Sequence, residues 1–200
     1  MPEKTDIKDR LRNLFEPVVV FLSYLGVSPL AVTIFGLLLS LVGAAFVARG
    51  ALLYGGLVLI AAGVCDVLDG SLARRLDRVT SFGAFIDSTV DRITEIVYFG
   101  AMIFYFLRTG QVNSVLLFFI LVALAGSFLT SYTRARAEGL GLDCRVGWLE
   151  RPERITIIVL GLLLGRFVLM VVIVFLAFMT VFTFIQRILH VRRLTFEKNR

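Results

Sequence analysis

Apolar residues dominate most of this chain, and they fall into stretches close to the ~20 residues that a helix needs to cross a bilayer. Short polar or glycine-containing segments separate these stretches. We therefore predict six membrane spans, at about 30–48, 52–72, 81–107, 112–133, 153–165 and 167–189. Only Gly165 and Arg166 divide the last two spans. With 58% hydrophobic residues and a mean hydropathy of +0.89, the chain is predicted to be an all-α integral membrane protein, a bundle of six transmembrane helices.

The N-terminal segment has a different pattern, since apolar residues recur every three or four positions over residues 6–25 and basic residues lie on other faces. This pattern predicts an amphipathic helix that lies in the membrane interface. The helix should end near Gly26, after which Ser28 and Pro29 provide the cap and first turn of the next helix. No repeat or linker is evident, so we predict a single membrane domain over residues 1–200.

The 21 Lys and Arg residues predict how the chain crosses the membrane, because short cytoplasmic segments are enriched in them. Most of them precede the first span, follow the last one, or lie between the second and third and between the fourth and fifth spans. Both termini are therefore predicted to be cytoplasmic, in a multi-pass protein of the cell membrane. This distribution also explains the net charge of +6 without nucleic acid as a partner, for which the chain lacks an aromatic and basic platform.

Four aspartates interrupt the apolar pattern of the second and third spans: Asp66, Asp69, Asp87 and Asp91. An ionised carboxylate at mid-membrane depth costs roughly 2.5–3.5 kcal/mol on insertion scales, so four of them require a cation nearby. At 100° per residue, the first two share one helical stripe and the last two share another, which predicts a polar seam between two helices that opens to the cytoplasm. Oxygen ligands favour a hard ion such as Mg²⁺, Ca²⁺ or Mn²⁺. The alternative is that the aspartates pair with arginines to hold helices together.

Other residue types offer little chemistry. The two cysteines, Cys65 and Cys144, fit no metal-binding or redox spacing and are predicted to be unpaired thiols. The single histidine, His190, lies at the end of the last span, where an interfacial role is favoured. Because no nucleophilic triad is visible, acid–base chemistry is left to the carboxylates.

The spacing of residues 66–91 resembles the complete signature of the CDP-alcohol phosphotransferase family. The matching positions are Asp66, Asp69, Gly70, Ala73, Arg74, Gly83, Asp87 and Asp91. The resemblance implies transfer of a substituted phosphate, usually a phosphatidyl group, from a CDP-linked lipid to an acceptor hydroxyl, with release of CMP. It also implies an interfacial helix followed by six spans, a cytoplasm-facing site, a homodimer among membrane lipids, and dependence on Mg²⁺ or Mn²⁺, with two ions at the site.

The same resemblance implies roles for individual residues. Asp66, Asp69 and Asp87 are the implied metal ligands, while Asp91 completes the metal site and is the implied catalytic base on the acceptor. The implied nucleotide and donor contacts are Thr33, Asp69, Gly70, Ala73, Arg74 and Gly83. One position departs from the family pattern, because many members have Asn where this chain has Leu30. A polar contact from that position is therefore in doubt.

Arginines near the cytoplasmic ends of the later spans are the candidates for binding the phosphate of an anionic acceptor: Arg134, Arg151, Arg154, Arg192 and Arg193. Converging guanidinium groups suit a phosphomonoester, although positive-inside topology alone also accounts for them. Segments 131–138 and 150–154 resemble the branch of the family that makes phosphatidylinositol phosphate and archaetidylinositol phosphate, which implies inositol 1-phosphate as the acceptor. Glycerol 3-phosphate, which gives phosphatidylglycerol phosphate, is the alternative. The sequence leaves open whether the donor carries ester-linked or ether-linked tails.

A divalent-cation transporter is the hypothesis from another functional class, because it too would use buried carboxylates. The acidic residues, however, crowd the cytoplasmic half of two consecutive helices, and no acidic relay leads to the opposite side. Glu95, one turn after Asp91, is the only candidate continuation. The sequence therefore favours the transferase.

Overall fold

The computed structural model describes residues 15–198 except residue 112, and all regular secondary structure in that part of the chain is helical. Seven helices follow one another: α1 (Phe15–Tyr24), α2 (Pro29–Ala48), α3 (Leu52–Arg75), α4 (Ser81–Arg108), α5 (Ser114–Glu138), α6 (Arg151–Leu164) and α7 (Arg166–Lys198). The predicted all-α class is confirmed. Helices α2 to α6 begin and end within a few residues of the predicted spans, whereas α7 continues well past residue 189. Residues 6–14 of the predicted interfacial helix lie outside the described residues.

Two predicted helix boundaries have clear local causes. The chain turns at Gly26, which has φ +70°, and the Ser28 hydroxyl then accepts a hydrogen bond from the Ala31 N–H at 3.2 Å. With Pro29 in the first turn, this is the predicted start of α2. Gly165, with φ +93°, separates α6 from α7, so the predicted break at this position is also confirmed.

Four helices in the described part of the chain, α2, α3, α5 and α7, are long and apolar enough to cross a membrane. Helix α4 is long enough, but Asp91, Arg92 and Glu95 lie near its middle. Helix α6 has 14 residues, which at 1.5 Å per residue spans about 21 Å, less than the ~30 Å hydrocarbon core. The chain is thus a membrane protein, while the six-span arrangement and the interfacial position of α1 stay predictions.

The helices pack into one bundle. Helix α2 lies against α3 and α4, α5 lies against α7, and α6 contacts both α3 and α7. The main apolar core includes Tyr98, Phe99, Met102 and Phe106 of α4, all 1% exposed or less. A smaller cluster joins α1 to α2 and α3 through Val19 and its neighbours. An ion pair of 2.6 Å between Glu16 and Arg75 also links α1 to α3.

Hydrogen bonds hold the loop over residues 139–150 against α7, and we call it the fastened loop. The Arg187 guanidinium donates a hydrogen bond to the Val146 carbonyl at 2.9 Å and another to the Thr130 carbonyl of α5. The Leu149 N–H donates to the Thr183 hydroxyl at 3.3 Å. These bonds fix the loop from which α6 begins, and the sequence pattern gave no sign of them.

Both cysteines are free and buried, which confirms the predicted unpaired thiols. Cys144 lies in the fastened loop, and burial raises the pKa of its thiol above the ordinary value. Because the thiolate is the reactive form, this thiol is poorly suited to nucleophilic chemistry.

Helices α5 and α7 approach closely at Gly126. A Cβ atom added there would lie 2.8 Å from the Thr180 Cβ, which is closer than two carbons can pack. We expect Gly126→Ala to destabilise the protein by about 1–3 kcal/mol, the usual cost of overpacking. Thermal unfolding in detergent measures this effect.

Gly100→Ala in α4 is the matched control, since, apart from its chain neighbours and the adjacent backbone of α4, no heavy atom of the described residues lies within 4 Å of a Cβ built there. The same unfolding midpoint for both variants would contradict the close approach of α5 and α7.

Candidate active site

Helices α3 and α4 bring three carboxylates together. Asp66 of α3 and Asp87 and Asp91 of α4 each offer one oxygen, and these oxygens lie within 4.8 Å of one another. The chain reverses direction between the two helices, and the Thr80 hydroxyl caps α4 by accepting a hydrogen bond from the Gly83 N–H at 3.0 Å. One aspartate of the first predicted stripe, Asp66, therefore meets both aspartates of the second, and we call Asp66, Asp87 and Asp91 the carboxylate cluster.

Asp69 is not one of the three clustered carboxylates, although it lines a cavity with Asp66 and Asp87. It is buried, and its Oδ2 accepts a hydrogen bond of 2.6 Å from the Thr33 hydroxyl. This bond joins α3 to α2 and orients the Asp69 carboxylate. The sequence predicted all four aspartates as metal ligands, and for Asp69 that role stays a prediction.

Arg151, the first residue of α6, reaches the carboxylate cluster. Its Nη1 lies 3.3 Å from each oxygen of Asp66, and its Nη2 lies 2.6 Å from Oδ1 of Asp91. Arg92 of α4 adds a longer contact, 3.6 Å from Oδ2 of Asp91. Both guanidinium groups offset part of the negative charge, and Arg151 connects α3, α4 and α6 at one point.

The donor set of the carboxylate cluster fits a hard divalent cation. Its three members supply only oxygen ligands, which Mg²⁺ and Mn²⁺ favour over the nitrogen and sulfur ligands of softer ions. The side chain of Asp66 is 38% exposed and that of Asp91 is 11% exposed, so the cluster runs from an accessible end to a buried one. An ion could therefore enter from the Asp66 side.

A cavity of about 930 Å³ adjoins the cluster between α2, α3 and the start of α4. Asp66 and Asp87 lie in its wall. All six predicted donor-binding residues also line it: Thr33, Asp69, Gly70, Ala73, Arg74 and Gly83. Apolar residues form another part of the wall, among them Leu30, Val79 and Phe82. The cavity thus offers polar groups beside the carboxylates and an apolar surface further away.

The predicted acceptor arginines lie in different environments. Arg151 is at the carboxylate cluster, whereas Arg134 pairs with Glu138 one turn along α5 at 2.9 Å. Arg154 is buried against Glu95. Arg192 and Arg193 are exposed near the end of α7, where Arg192 lies over the Phe196 ring at 5.6 Å. Of the five, only Arg151 contacts the cluster in the structure, and phosphate binding by any of them stays a prediction.

Sequence reasoning missed the role of Glu95. The sequence suggests Glu95 only as a possible step in an ion path, whereas its carboxylate accepts hydrogen bonds from Arg154 at 3.1 and 2.8 Å. Glu95 lies four residues after Asp91, so both project from the same side of α4. That spacing indicates that Glu95 faces the same side as the carboxylate cluster. It does not indicate the partner, because Arg154 is 59 residues away in the sequence.

Fold and site together define a helical membrane protein with an acidic centre that fits a divalent cation. Comparison with known proteins shows its family of enzymes: the family model described as CDP-alcohol phosphatidyltransferase matches residues 26–192. The chain belongs to this family, and the resemblance noted in its sequence is confirmed. The family also favours a transferase over a cation transporter.

Named relatives cover most of the chain. It is 38% identical to an archaetidylinositol phosphate synthase of Methanothermobacter thermautotrophicus over 200 residues, which is 93% of this chain and 96% of that protein. It is 37% identical to a phosphatidylinositol phosphate synthase of Streptomyces avermitilis over 147 residues, 72% of this chain and 60% of that protein. Both relatives are named for products that contain inositol phosphate.

Solved structures give the same result. The chain is similar to the crystal structure of a Mycobacterium tuberculosis phosphatidylinositol phosphate synthase with CDP-DAG bound, with a TM-score of 0.81 and 33% identity. That match covers 88% of this chain and 92% of the other. A second structure of the same enzyme, in complex with manganese and citrate, also gives a TM-score of 0.81. At this identity the likeness extends beyond the fold to a related sequence.

Proposed function

We propose that the protein transfers the phosphatidyl group of a CDP-linked lipid, CDP-diacylglycerol or its ether-linked analogue, to a hydroxyl of inositol 1-phosphate and releases CMP. The observation that carries the proposal is the position of the carboxylate cluster. The large cavity adjoins it through Asp66 and Asp87, and a cationic side chain, Arg151, adjoins it through Asp66 and Asp91. Donor and acceptor could therefore meet at the same carboxylates.

The large cavity suits the donor. Arg74 lies in its wall, and the Arg74 Nη2 donates a hydrogen bond to the Ser71 hydroxyl at 3.2 Å, which directs the guanidinium along α3. A guanidinium presents two parallel donors to two phosphate oxygens, so Arg74 would hold the donor pyrophosphate. Thr33, Asp69, Gly70, Ala73 and Gly83 would surround the cytidine and its phosphates.

Arg151 and Asp91 would act on the acceptor. The Asp91 carboxylate would take the proton of the acceptor hydroxyl as its oxygen bonds to the phosphatidyl phosphorus and the bond from that phosphorus to the CMP oxygen breaks. Arg151 touches Asp91 and offers the nearest positive charge to a phosphorylated acceptor. We propose Arg134, Arg154, Arg192 and Arg193 as further candidates for the acceptor phosphate.

Asp66, Asp87 and Asp91 would hold Mg²⁺ or Mn²⁺, with Asp69 as a further candidate ligand. We propose that two ions bind at the site. Bound divalent cations would supply positive charge next to phosphate oxygens that become more negative during the transfer. The related enzyme solved with manganese supports this choice of ion. The aspartates would also hold the donor phosphates through that charge.

The proposed orientation of the chain in the membrane follows from the distribution of its basic residues. We propose six spans in one membrane domain over residues 1–200, with α1 in the interface and with both termini and the carboxylate cluster facing the cytoplasm. The basic residues at those ends of the helices support this orientation. We also propose a homodimer, on the family resemblance.

The test is CMP release by the purified protein in detergent with CDP-diacylglycerol and Mg²⁺. Inositol 1-phosphate, glycerol 3-phosphate, free inositol and serine are offered separately. We expect no release with free inositol or serine, because the site presents cations to a phosphorylated acceptor. Between the two phosphorylated acceptors, we expect release with inositol 1-phosphate, because the named relatives make inositol phosphate lipids. Release with glycerol 3-phosphate instead would keep the reaction and overturn the acceptor. If no acceptor supports release with an ester-linked or an ether-linked donor, the transferase proposal is wrong for this chain.

A further inference from the structure

The second half of the fastened loop runs along α7. Four contacts join the two: Asp143 with His190, Val146 with Arg187, Trp148 with Gln186 and Leu149 with Thr183. As the loop advances from residue 143 to residue 149, its partners on α7 run back from residue 190 to residue 183. At 1.5 Å per residue, this part of the loop therefore descends about 10 Å along the axis of α7.

Helix α7 gives a depth scale for this descent. It begins at Arg166, directly after the break at Gly165, and is apolar enough to cross a membrane. In the proposed arrangement of spans, Arg166 marks one edge of the hydrocarbon core. The other edge, ~30 Å away, then lies about 20 residues along α7, near Gln186. Thr183 is on the inner side of that edge and His190 is on the outer side, so the loop crosses the edge.

The short length of α6 fits this depth. Its 14 residues span about 21 Å, which leaves part of the ~30 Å hydrocarbon core uncrossed. The descent of the fastened loop along α7 supplies the missing length immediately before α6 begins. The loop and α6 together are therefore long enough to cross the core.

Non-helical backbone at this depth has to find its polar partners inside the protein, because the hydrocarbon core offers no water. Side chains of α7 provide such partners. The Trp148 N–H donates a hydrogen bond to the Gln186 side-chain oxygen at 3.3 Å. The Leu149 N–H donates to the hydroxyl of Thr183, which is itself 0% exposed. These polar groups of α7 take the place of water along the loop.

The side chains of the loop match the same depth scale. Arg145, at the end of the loop nearer His190, is 78% exposed. Further down, Leu149 is buried, whereas the Trp148 side chain points outward and is 74% exposed. The indole packs edge-on against the Phe182 ring of α7, with 5.6 Å between ring centroids. Phe182 is itself 43% exposed, so the indole continues an apolar outer surface of α7.

We propose that residues 146–149 lie inside the bilayer and that the Trp148 indole contacts lipid at the boundary between the acyl chains and the headgroups. An indole suits this boundary because it combines an apolar ring with a polar N–H. Lipid is the favoured occupant, since the indole extends the outer surface of a helix that is apolar enough to cross the membrane. Arg145 would then lie among the headgroup phosphates. The inference rests on the proposed membrane arrangement and not on the transfer reaction.

The test uses the fluorescence of Trp148, which is the only tryptophan in the chain. The protein is placed in phosphatidylcholine nanodiscs whose lipids carry bromine either near the glycerol end or at the terminus of the acyl chain. We expect bromine near the glycerol end to quench at least about twofold more strongly than bromine at the terminus. Iodide in the water should quench at least about threefold less than in a water-facing reference, Thr195→Trp in a Trp148→Phe background. Thr195 is exposed and lies about 44 Å along α7 from Arg166.

Phe175→Trp in the same Trp148→Phe background is the deep reference, because Phe175 is 44% exposed and lies about 14 Å along α7 from Arg166. Bromine at the chain terminus should quench it most. If it does, while iodide quenches Trp148 as strongly as Thr195→Trp, the loop lies in water and the proposal is wrong.

The remaining outcomes also contradict the proposal. Stronger quenching of Trp148 from the chain terminus would place the indole below the boundary, and quenching by neither bromine nor iodide would mean that a second copy of the chain covers it. If the Phe175→Trp reference does not respond to bromine, the proposed course of α7 is wrong, and so is the position of the loop. None of these measurements requires CMP release, so they are independent of whether the proposed reaction is correct.

Discussion

Replacing Asp91 with Asn is expected to lower CMP release by about 10²–10⁴-fold, the usual range for loss of a positioned general base. The amide keeps the volume of the side chain but cannot take the proton of the acceptor hydroxyl. Asp91 is also the buried end of the carboxylate cluster, 2.6 Å from Arg151, so no exposed carboxylate in the cluster can replace it from the same position. Initial rates at saturating donor and acceptor measure the effect.

Two further measurements, of donor binding and of Mn²⁺ affinity, show whether the Asp91→Asn variant has lost only the catalytic base. Binding of the CDP-linked donor, followed by ligand-induced thermal stabilisation, should be largely kept, because the cavity residues that face the donor are unchanged. Mn²⁺ affinity, measured in the same variant, separates loss of the base from loss of a metal ligand. The matched control is Asp77→Asn in the turn between α3 and α4, where φ is +50° and Asn is well tolerated. Wild-type turnover in the Asp91→Asn protein would exclude Asp91 as the base.

Removing divalent cations should abolish CMP release. Three carboxylates at one point repel one another, and the guanidinium groups of Arg151 and Arg92 offset only part of their charge. Without a divalent cation, the donor phosphates would add further negative charge beside them. We expect treatment with EDTA to reduce the rate to the background without enzyme, and added Mg²⁺ or Mn²⁺ to restore it.

The control for chelation is EDTA already saturated with Mg²⁺, which should have no effect. Asp87→Asn should raise the Mg²⁺ concentration needed for half-maximal rate, whereas Glu16→Gln, far from the cluster in sequence and on another helix, should not. Full activity in protein shown by elemental analysis to contain no divalent metal would contradict metal dependence.

Much of the fold was predictable because a bilayer constrains the length and polarity of a helix more strongly than water does. Apolar stretches and a few glycines therefore predicted α2 to α6 closely, and Ser28 and Pro29 predicted the start of α2. The last predicted span ends near residue 189, where the apolar pattern stops, whereas α7 continues with charged residues to Lys198. Hydropathy does not specify how far a helix continues beyond its apolar stretch.

The candidate site was predictable only where its residues lie on one or two consecutive helices. Spacing along α3 and α4 predicted that Asp66, Asp87 and Asp91 meet. It did not predict that Asp69 bonds to Thr33, 36 residues earlier, or that Arg151 and Arg154 have different partners. Those contacts depend on how α2 and α6 pack against the other helices, which side-chain periodicity within a single helix does not specify.

The apolar part of the cavity wall has a kinetic consequence. Leu30, Val79 and Phe82 are 42%, 70% and 64% exposed, so the cavity meets the outside through side chains that are compatible with lipid. If the cavity takes the donor as proposed, donor and lipid product can both stay in the bilayer, and only CMP and the acceptor exchange with water. Turnover should then follow the mole fraction of donor in the membrane or micelle, so that diluting the donor with inert lipid slows the enzyme even when the total amount in the vessel is constant.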